Sequence, residues 1–248
     1  MTPVIDSQAS GPGTPPRAAF TDALTRAALE RLELQITRSY AHNSLLYSTL
    51  ENLADVETIT HFMHWDGAQP PFARYLRLWL PRAPDCIRRE LGDHINIEEN
   101  QRHSELFTEM LRHLDSLVSS ETDLDQDRLA ELNYTFSERC AEERDIGFFL
   151  GGFWATEIMS AKRCLQIYRG LRRNRVADGP LEYFRIHFDS DEAHSRVVRD
   201  RMIVPVLQRT PYLLGAIRHG VHDRLSRSGA YVMWYEMTRL PSLVEESS

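Results

Sequence analysis

The stretch EYFRIHFDSDEAHSRVV, residues 182–198, contains two histidines and an aspartate in the spacing H-x3-D-x2-H. These residues are His187, Asp191 and His194. Each residue of an α-helix advances about 100° around the axis, so the three side chains fall within an arc of about 60°. Phe184 lies on the same face, and the polar trio therefore interrupts an apolar stripe that should point towards a protein core.

Three ionisable groups on one buried stripe need a reason to be there. A single histidine on an apolar face is usually a hydrogen-bonded core residue. Two histidines and an aspartate together are costly to bury unless their polar atoms have partners. A bound cation removes that cost because it uses their lone pairs. The trio predicts a metal site, with a set of paired core residues as the alternative.

A second segment, CIRRELGDHINIEENQRHSELFTEML, covers residues 86–111. On one continuous helix, Glu99 and His103 share an apolar stripe with Ile95, whereas Glu98 lies about 100° away. The wheel therefore favours Glu99 over Glu98 as a metal ligand beside His103. The alternative is an ordinary glutamate–histidine pair on the surface, four residues apart.

A third segment, residues 145–168, has an apolar stripe that carries one carboxylate, Glu157. A carboxylate among apolar neighbours needs a partner or a raised pKa. A buried ion pair with an arginine is the alternative to metal binding. The three segments together predict six ligands on three helices: Glu99, His103, Glu157, His187, Asp191 and His194.

Three carboxylates and three imidazoles are a ligand set that suits two iron or manganese ions in the core of a helical bundle. A structural zinc site would favour cysteine ligands. The paired Glu-x-x-His motifs of ferritin-like bundles do not occur, which argues against that bundle type.

In the rest of the chain, apolar residues recur with the periodicity of a helix. This pattern predicts an all-α fold of about seven or eight helices. Residues 1–18 are rich in proline, glycine and serine and are expected to form a disordered tail, so the helical domain covers 19–242. One long helix is expected from Asp85 to about His113, and another over 145–172 with a kink at Gly151 and Gly152. A polar loop is expected over 119–127, followed by a helix that begins near Leu129.

Composition excludes several classes of protein. The 248 residues carry a formal net charge of −7, and 42% are hydrophobic, as in ordinary globular proteins. No apolar run is long enough to span a membrane, and the acidic balance argues against a nucleic-acid partner. Three cysteines without a CxxC pair and no signal-peptide pattern lead us to expect a cytoplasmic protein.

At these residues the sequence resembles the haem-oxygenase-like diiron oxidases and oxygenases. That family has a glutamate and a histidine on one central helix, a lone glutamate on another, and H-x3-D-x2-H on a third. The order here is the same, and the stretches NIEEN…H at 96–103 and YFxxHxxxDxxH at 183–194 are similar to those of the family. The resemblance covers roughly residues 70–210.

The resemblance implies a haem-oxygenase-like bundle with two iron ions that activate O₂. It also implies a small amine or amino-acid-derived substrate, with N-oxygenation, oxidative decarboxylation or C–C cleavage, in natural-product biosynthesis. The same fold also carries metal-independent enzymes of the thiaminase type and the pyrroloquinoline-quinone synthase type, which are the alternative. A homodimer is the default expectation for the assembly.

Overall fold

The computed structural model describes residues 17–67, 72–100, 103–118 and 145–238. Within these ranges the chain forms helices and no strand, so the prediction of an all-α fold is confirmed. The α-helices are α1 (Arg17–Arg38), α2 (Leu45–Asn52), α3 (Val56–Gly67), α4 (Phe72–Trp79), α5 (Asp85–Asn100), α6 (His103–Asp115), α7 (Ile146–Arg173), α8 (Glu182–Val197), α9 (Val204–Arg209) and α10 (Leu214–Thr238). Short 3₁₀ turns cover Leu80–Arg82, Gly179–Leu181 and Pro211–Leu213.

The centre of the bundle is α7, a helix of 28 residues that packs against α2, α8 and α10. Its N-terminus is capped by Asp145, whose side chain accepts a hydrogen bond from the backbone N–H of Gly147 at 2.8 Å. Most of its first three turns is buried on every side, including Phe149 and Phe153. A helix that is apolar all round belongs in the interior, and α7 therefore carries Glu157 into the core.

Two glycines let α7 and α10 approach closely. A Cβ atom at Gly151 would lie 2.0 Å from the carbonyl oxygen of Ile217, and one at Gly220 would lie 1.9 Å from that of Phe148. The helix α7 continues through Gly151 and Gly152, from Ile146 to Arg173. Gly151 and Gly220 serve the close contact between α7 and α10.

A single long helix is expected from Asp85 to about His113. The structure describes α5 up to Asn100 and α6 from His103, and residues 101–102 lie outside the described residues. At the other side of the bundle, α8 continues into a π-helical turn, Val198–Ile203, before α9 begins. Such π turns accommodate an extra residue within a helix and are frequent beside functional sites.

Several expectations about the chain ends and loops concern residues that the structure does not describe. The helix α1 begins at Arg17, so its first two residues belong to the segment expected to be a tail. Residues 1–16, the loop at 119–127, the helix expected near Leu129 and the domain end at 242 lie outside the described residues. Among the described helices, none has a stretch long and apolar enough to cross a membrane.

Candidate metal centre

The helices α5, α7 and α8 bring two histidines to one buried carboxylate. Oε1 of Glu157 lies 3.5 Å from Nε2 of His94, and Oε2 lies 3.7 Å from Nδ1 of His194. The three residues are only 2–8% exposed. Each comes from a different helix, so the tertiary packing of the bundle assembles the group.

The two histidine nitrogens that face Glu157 are buried and have no hydrogen-bond partner. Distances of 3.5 Å and 3.7 Å are long for hydrogen bonds. They match the separation of about 3.0–4.2 Å between two ligand atoms that each lie about 2.1 Å from one metal ion. One ligand atom from each residue lies within 4.8 Å of the other two. These residues therefore fit a bound metal ion, since an ion would satisfy both unpaired nitrogens.

The pKa values of Glu157 and His194 show that a bound cation would take the place of a proton in this cluster. Burial raises the pKa of the Glu157 carboxyl, but the imidazoles of His194 and His94 outweigh it and lower that pKa to about 2. Burial lowers the pKa of His194, whereas Asp191 and Glu157 raise it, with a net rise to about 10. Near pH 7 the carboxyl group of Glu157 is therefore ionised and His194 carries a proton. A bound metal ion would displace that proton and supply a positive charge of its own beside Glu157.

A second group of side chains adjoins the first. Nδ1 of His103 lies 2.8 Å from Oε2 of Glu98, and the ring centroid of His103 lies 4.5 Å from that of His187. Oε1 of Glu98 also lies 3.7 Å from Nε2 of His94, which joins the two groups. This second group offers one carboxylate and two imidazoles, again nitrogen and oxygen ligands that suit iron.

Backbone and carboxylate contacts orient the histidines of α8. Nδ1 of His187 donates a hydrogen bond to the carbonyl oxygen of Tyr183 at 2.7 Å, which leaves Nε2 as the ligand atom of a neutral ring. Oδ1 of Asp191 lies 3.5 Å from Nδ1 of His194. Burial raises the pKa of Asp191, against the effect of His194, which lowers it. Only 3% of Asp191 is exposed, and its carboxylate lies beside His194 in the cluster.

Of the six residues predicted as ligands, the structure brings five into this region and leaves one outside. The five are His103, Glu157, His187, Asp191 and His194. Glu99 instead forms a two-pronged ion pair with Arg77 of α4, and 38% of its side chain is exposed. Glu98, only 10% exposed at its side chain, occupies the position expected for Glu99.

Glu98 and Glu99 differ in burial because of the stripe of α5 that faces the core. The choice of Glu99 assumed one helix through residues 95–103, in which residue 99 and residue 103 share a stripe. The buried stripe of α5 instead contains Leu91, His94 and Ile95, and continues to Glu98. His103 starts a new helix and reaches back to Glu98, five residues earlier.

Sequence reasoning missed His94 altogether. Its signal was present, because His94 lies three residues after Leu91 and four before Glu98 on the stripe that begins at Ile87. If Glu98 faces the core, a helical wheel of α5 places His94, four residues earlier, on the same face. The ring of His94 also packs edge-on against Phe153 of α7, with centroids 5.0 Å apart.

Fold and site together define the class of protein. It is an all-α bundle with a buried centre of imidazole and carboxylate groups, a ligand set that binds redox metals such as iron. A family model described as iron-containing redox enzyme matches residues 58–229, a range that includes the whole cluster. The chain therefore belongs to this family of the haem-oxygenase-like superfamily, which confirms the resemblance seen in the sequence. No curated protein gives a significant match to the chain.

Proposed function

We propose that this protein is a non-haem diiron enzyme that uses O₂ to oxidise a small amine or amino-acid-derived substrate. The observation that carries the proposal is the pair of buried, unpaired nitrogens of His94 and His194 on either side of Glu157. An oxidoreductase role follows from the family. Two irons, O₂ and the substrate class are our proposal, supported by the ligand chemistry of the site.

The proposal assigns the ligands to two adjoining positions. One iron would be held by His94, Glu157 and His194. The other would be held by Glu98, His103 and His187, with Glu98 in place of Glu99. Asp191 lies beside His194 and is suited to hold that ring or to contribute an oxygen to either ion.

The chain's own residues prepare this site for redox chemistry. Bound iron would supply the O₂ binding and electron transfer that amino-acid side chains lack. The carbonyl of Tyr183 fixes the orientation of His187, and Asp191 helps to fix that of His194. Phe153 covers His94 on its apolar side, which keeps bulk water away from that ring. Fixed ligands in a dry pocket are what a metal site needs to bind O₂ and exclude side reactions.

The proposed reaction is N-oxygenation, oxidative decarboxylation or C–C cleavage, in natural-product biosynthesis. We propose cytoplasmic action, and a homodimer as the starting assumption for the assembly. The alternative is a metal-independent enzyme of the thiaminase or quinone-cofactor synthase type. Such an enzyme would use the ionised Glu157 and protonated His194 as acid–base groups.

The test is anaerobic loading with Fe(II) followed by exposure to O₂ and a panel of amines and amino-acid derivatives. We expect about two irons per chain, as a diiron centre requires, and substrate-dependent O₂ consumption. His194→Ala should lose iron and O₂ consumption together, whereas Arg89→Ala, an exposed change on α5, should lose neither. Substrate turnover that survives exhaustive chelation would overturn the proposal and favour the metal-independent alternative.

A further inference from the structure

A cavity of about 340 Å³ lies between α1, α7 and α8. Three of its lining residues, Ile158, Phe188 and Ser195, each follow a residue of the metal cluster by one position. One step along a helix turns the side chain by about 100°. These side chains therefore point away from the direction of their neighbours in the cluster and line the cavity.

The walls of the cavity are mostly apolar, with Ala161 and Leu165 of α7 beside Ile158 and Phe188. Its volume is within the range of about 300–1,000 Å³ that is usual for small-molecule sites. An apolar wall of this kind fits the hydrocarbon or aromatic body of a small ligand.

One end of the cavity carries a cation that no carboxylate neutralises in the described part of the chain. Lys162, the only lysine among the 248 residues, lines the cavity and donates a hydrogen bond from Nζ to Oδ1 of Asn43 at 2.6 Å. That partner is neutral, so the charge of the ammonium group is not compensated. An ammonium group has three N–H donors, of which this contact uses one.

Two glutamates also line the cavity, and both are already paired. Glu33 accepts a hydrogen bond from Arg199 at 2.8 Å, and Glu192 accepts one from Arg196 at 2.6 Å. Glu33 shares Arg199 with Asp200, and Glu192 is paired with Arg196, whereas Lys162 has no carboxylate partner among the described residues. The ammonium group of Lys162 is therefore available to bind an anionic group of a ligand.

His42 adds a second polar group near Lys162 that could bind a ligand. Its side chain lines the cavity, and its Nδ1 atom is buried without a hydrogen-bond partner. Burial, Lys162 and Arg163 together lower the pKa of His42 to about 4, so the ring is neutral near pH 7. A neutral imidazole offers one donor and one acceptor beside the ammonium group.

We propose that this cavity binds a small organic monocarboxylate, with the carboxylate on Lys162 and the apolar body against Phe188 and Leu165. A charge-assisted hydrogen bond to Lys162 supplies orientation, and burial of the apolar body supplies affinity. None of the residues that line this cavity belongs to the metal cluster.

The single lysine provides a direct test. Acetylation of Lys162 by an N-hydroxysuccinimide ester is followed by mass spectrometry of its peptide, with 4-phenylbutyrate or its uncharged amide present. We expect saturating 4-phenylbutyrate to slow acetylation at least about fivefold, because it occupies the ammonium group, and the amide to have little effect. Absence of protection by the carboxylate, or equal protection by the amide, would overturn the proposal.

Variants separate the charge from the cavity in calorimetric titrations with 4-phenylbutyrate. Lys162→Met keeps the stem and should weaken binding by about tenfold. Lys162→Arg should retain most of the affinity, and Ala161→Phe should abolish binding by filling the cavity. Arg89→Met removes an exposed cation of α5 and should change nothing. Thermal melts establish that each variant is folded, and wild-type affinity in folded Lys162→Met would contradict the proposal.

Discussion

Nε2 of His94 and Oε1 of Glu157 face one another at 3.5 Å in the interior of the bundle, and the nitrogen has no hydrogen-bond partner. Proteins seldom leave a buried ring nitrogen unsatisfied, because its desolvation is not recovered. At this separation both atoms can bind one cation. The relationship explains why an apolar helix such as α7 carries a carboxylate at position 157 and why α5 carries a histidine opposite it.

Neighbouring glutamates of α5 should differ sharply in their effect on iron binding. Glu98→Gln should lose at least one of the two irons expected per chain, because Glu98 contacts both His94 and His103. Glu99→Gln should bind iron as the wild type does, since it only loses an exposed ion pair with Arg77. Metal analysis after anaerobic Fe(II) loading checks both variants. Iron loss in Glu99→Gln with full iron in Glu98→Gln would reverse our assignment.

The contact between α7 and α10 should not tolerate a side chain at Gly151. A Cβ there would meet the backbone of Ile217 at 2.0 Å, so the helices must move apart. We expect Gly151→Ala to lower the free energy of unfolding by about 3 kcal/mol, as overpacking against a rigid neighbour does.

Gly215→Ala is the matched control, since a Cβ at Gly215 would have open space around it. Alanine is a better helix former than glycine, so this variant should be neutral or up to about 1 kcal/mol more stable. Chemical denaturation measures both. Equal stability of the two variants would show that α7 and α10 are farther apart than described.

Stability should fall as the pH drops below the ordinary pKa of histidine, in part because of His42. Its pKa is about 4 in the folded protein and 6.5 in the unfolded chain, since burial and the charges of Lys162 and Arg163 oppose protonation. Its contribution is therefore fully present above pH 6.5 and is lost between pH 6.5 and 4. Because the ring is partly exposed, solvent screening limits this loss to about 2 kcal/mol.

His42→Gln removes the titrating group and should flatten the dependence over that pH range. Urea unfolding of the wild type and the variant between pH 4 and 7 measures the difference. An identical fall in stability for both proteins would mean that His42 is protonated as easily in the fold as in the unfolded chain.

How much of the site could be predicted depended on where the helices are continuous. His187, Asp191 and His194 lie in the single helix α8, so their common face follows from their spacing alone. Glu157 lies near the middle of α7, where the apolar stripe fixes its direction. These relationships are local, and the sequence contains them fully.

The choice of Glu99 over Glu98 came from treating residues 95–103 as one helix. The buried residues of α5 instead define a stripe that contains His94 and continues to Glu98, and this spacing was present in the sequence. The roles of Gly151 and Gly220 were hidden, because a close approach between helices depends on residues far apart in the chain. Long-range packing decides such features, and spacing within one helix does not record it.

The measurement that tests the central claim most directly is a crystal structure of the Fe(II)-loaded protein with anomalous data at the iron edge. We predict two anomalous peaks. One should lie among His94, Glu157 and His194, and the other should lie among Glu98, His103 and His187. A fully loaded crystal with no peak in this region, or with iron bound at Glu99, would contradict the account.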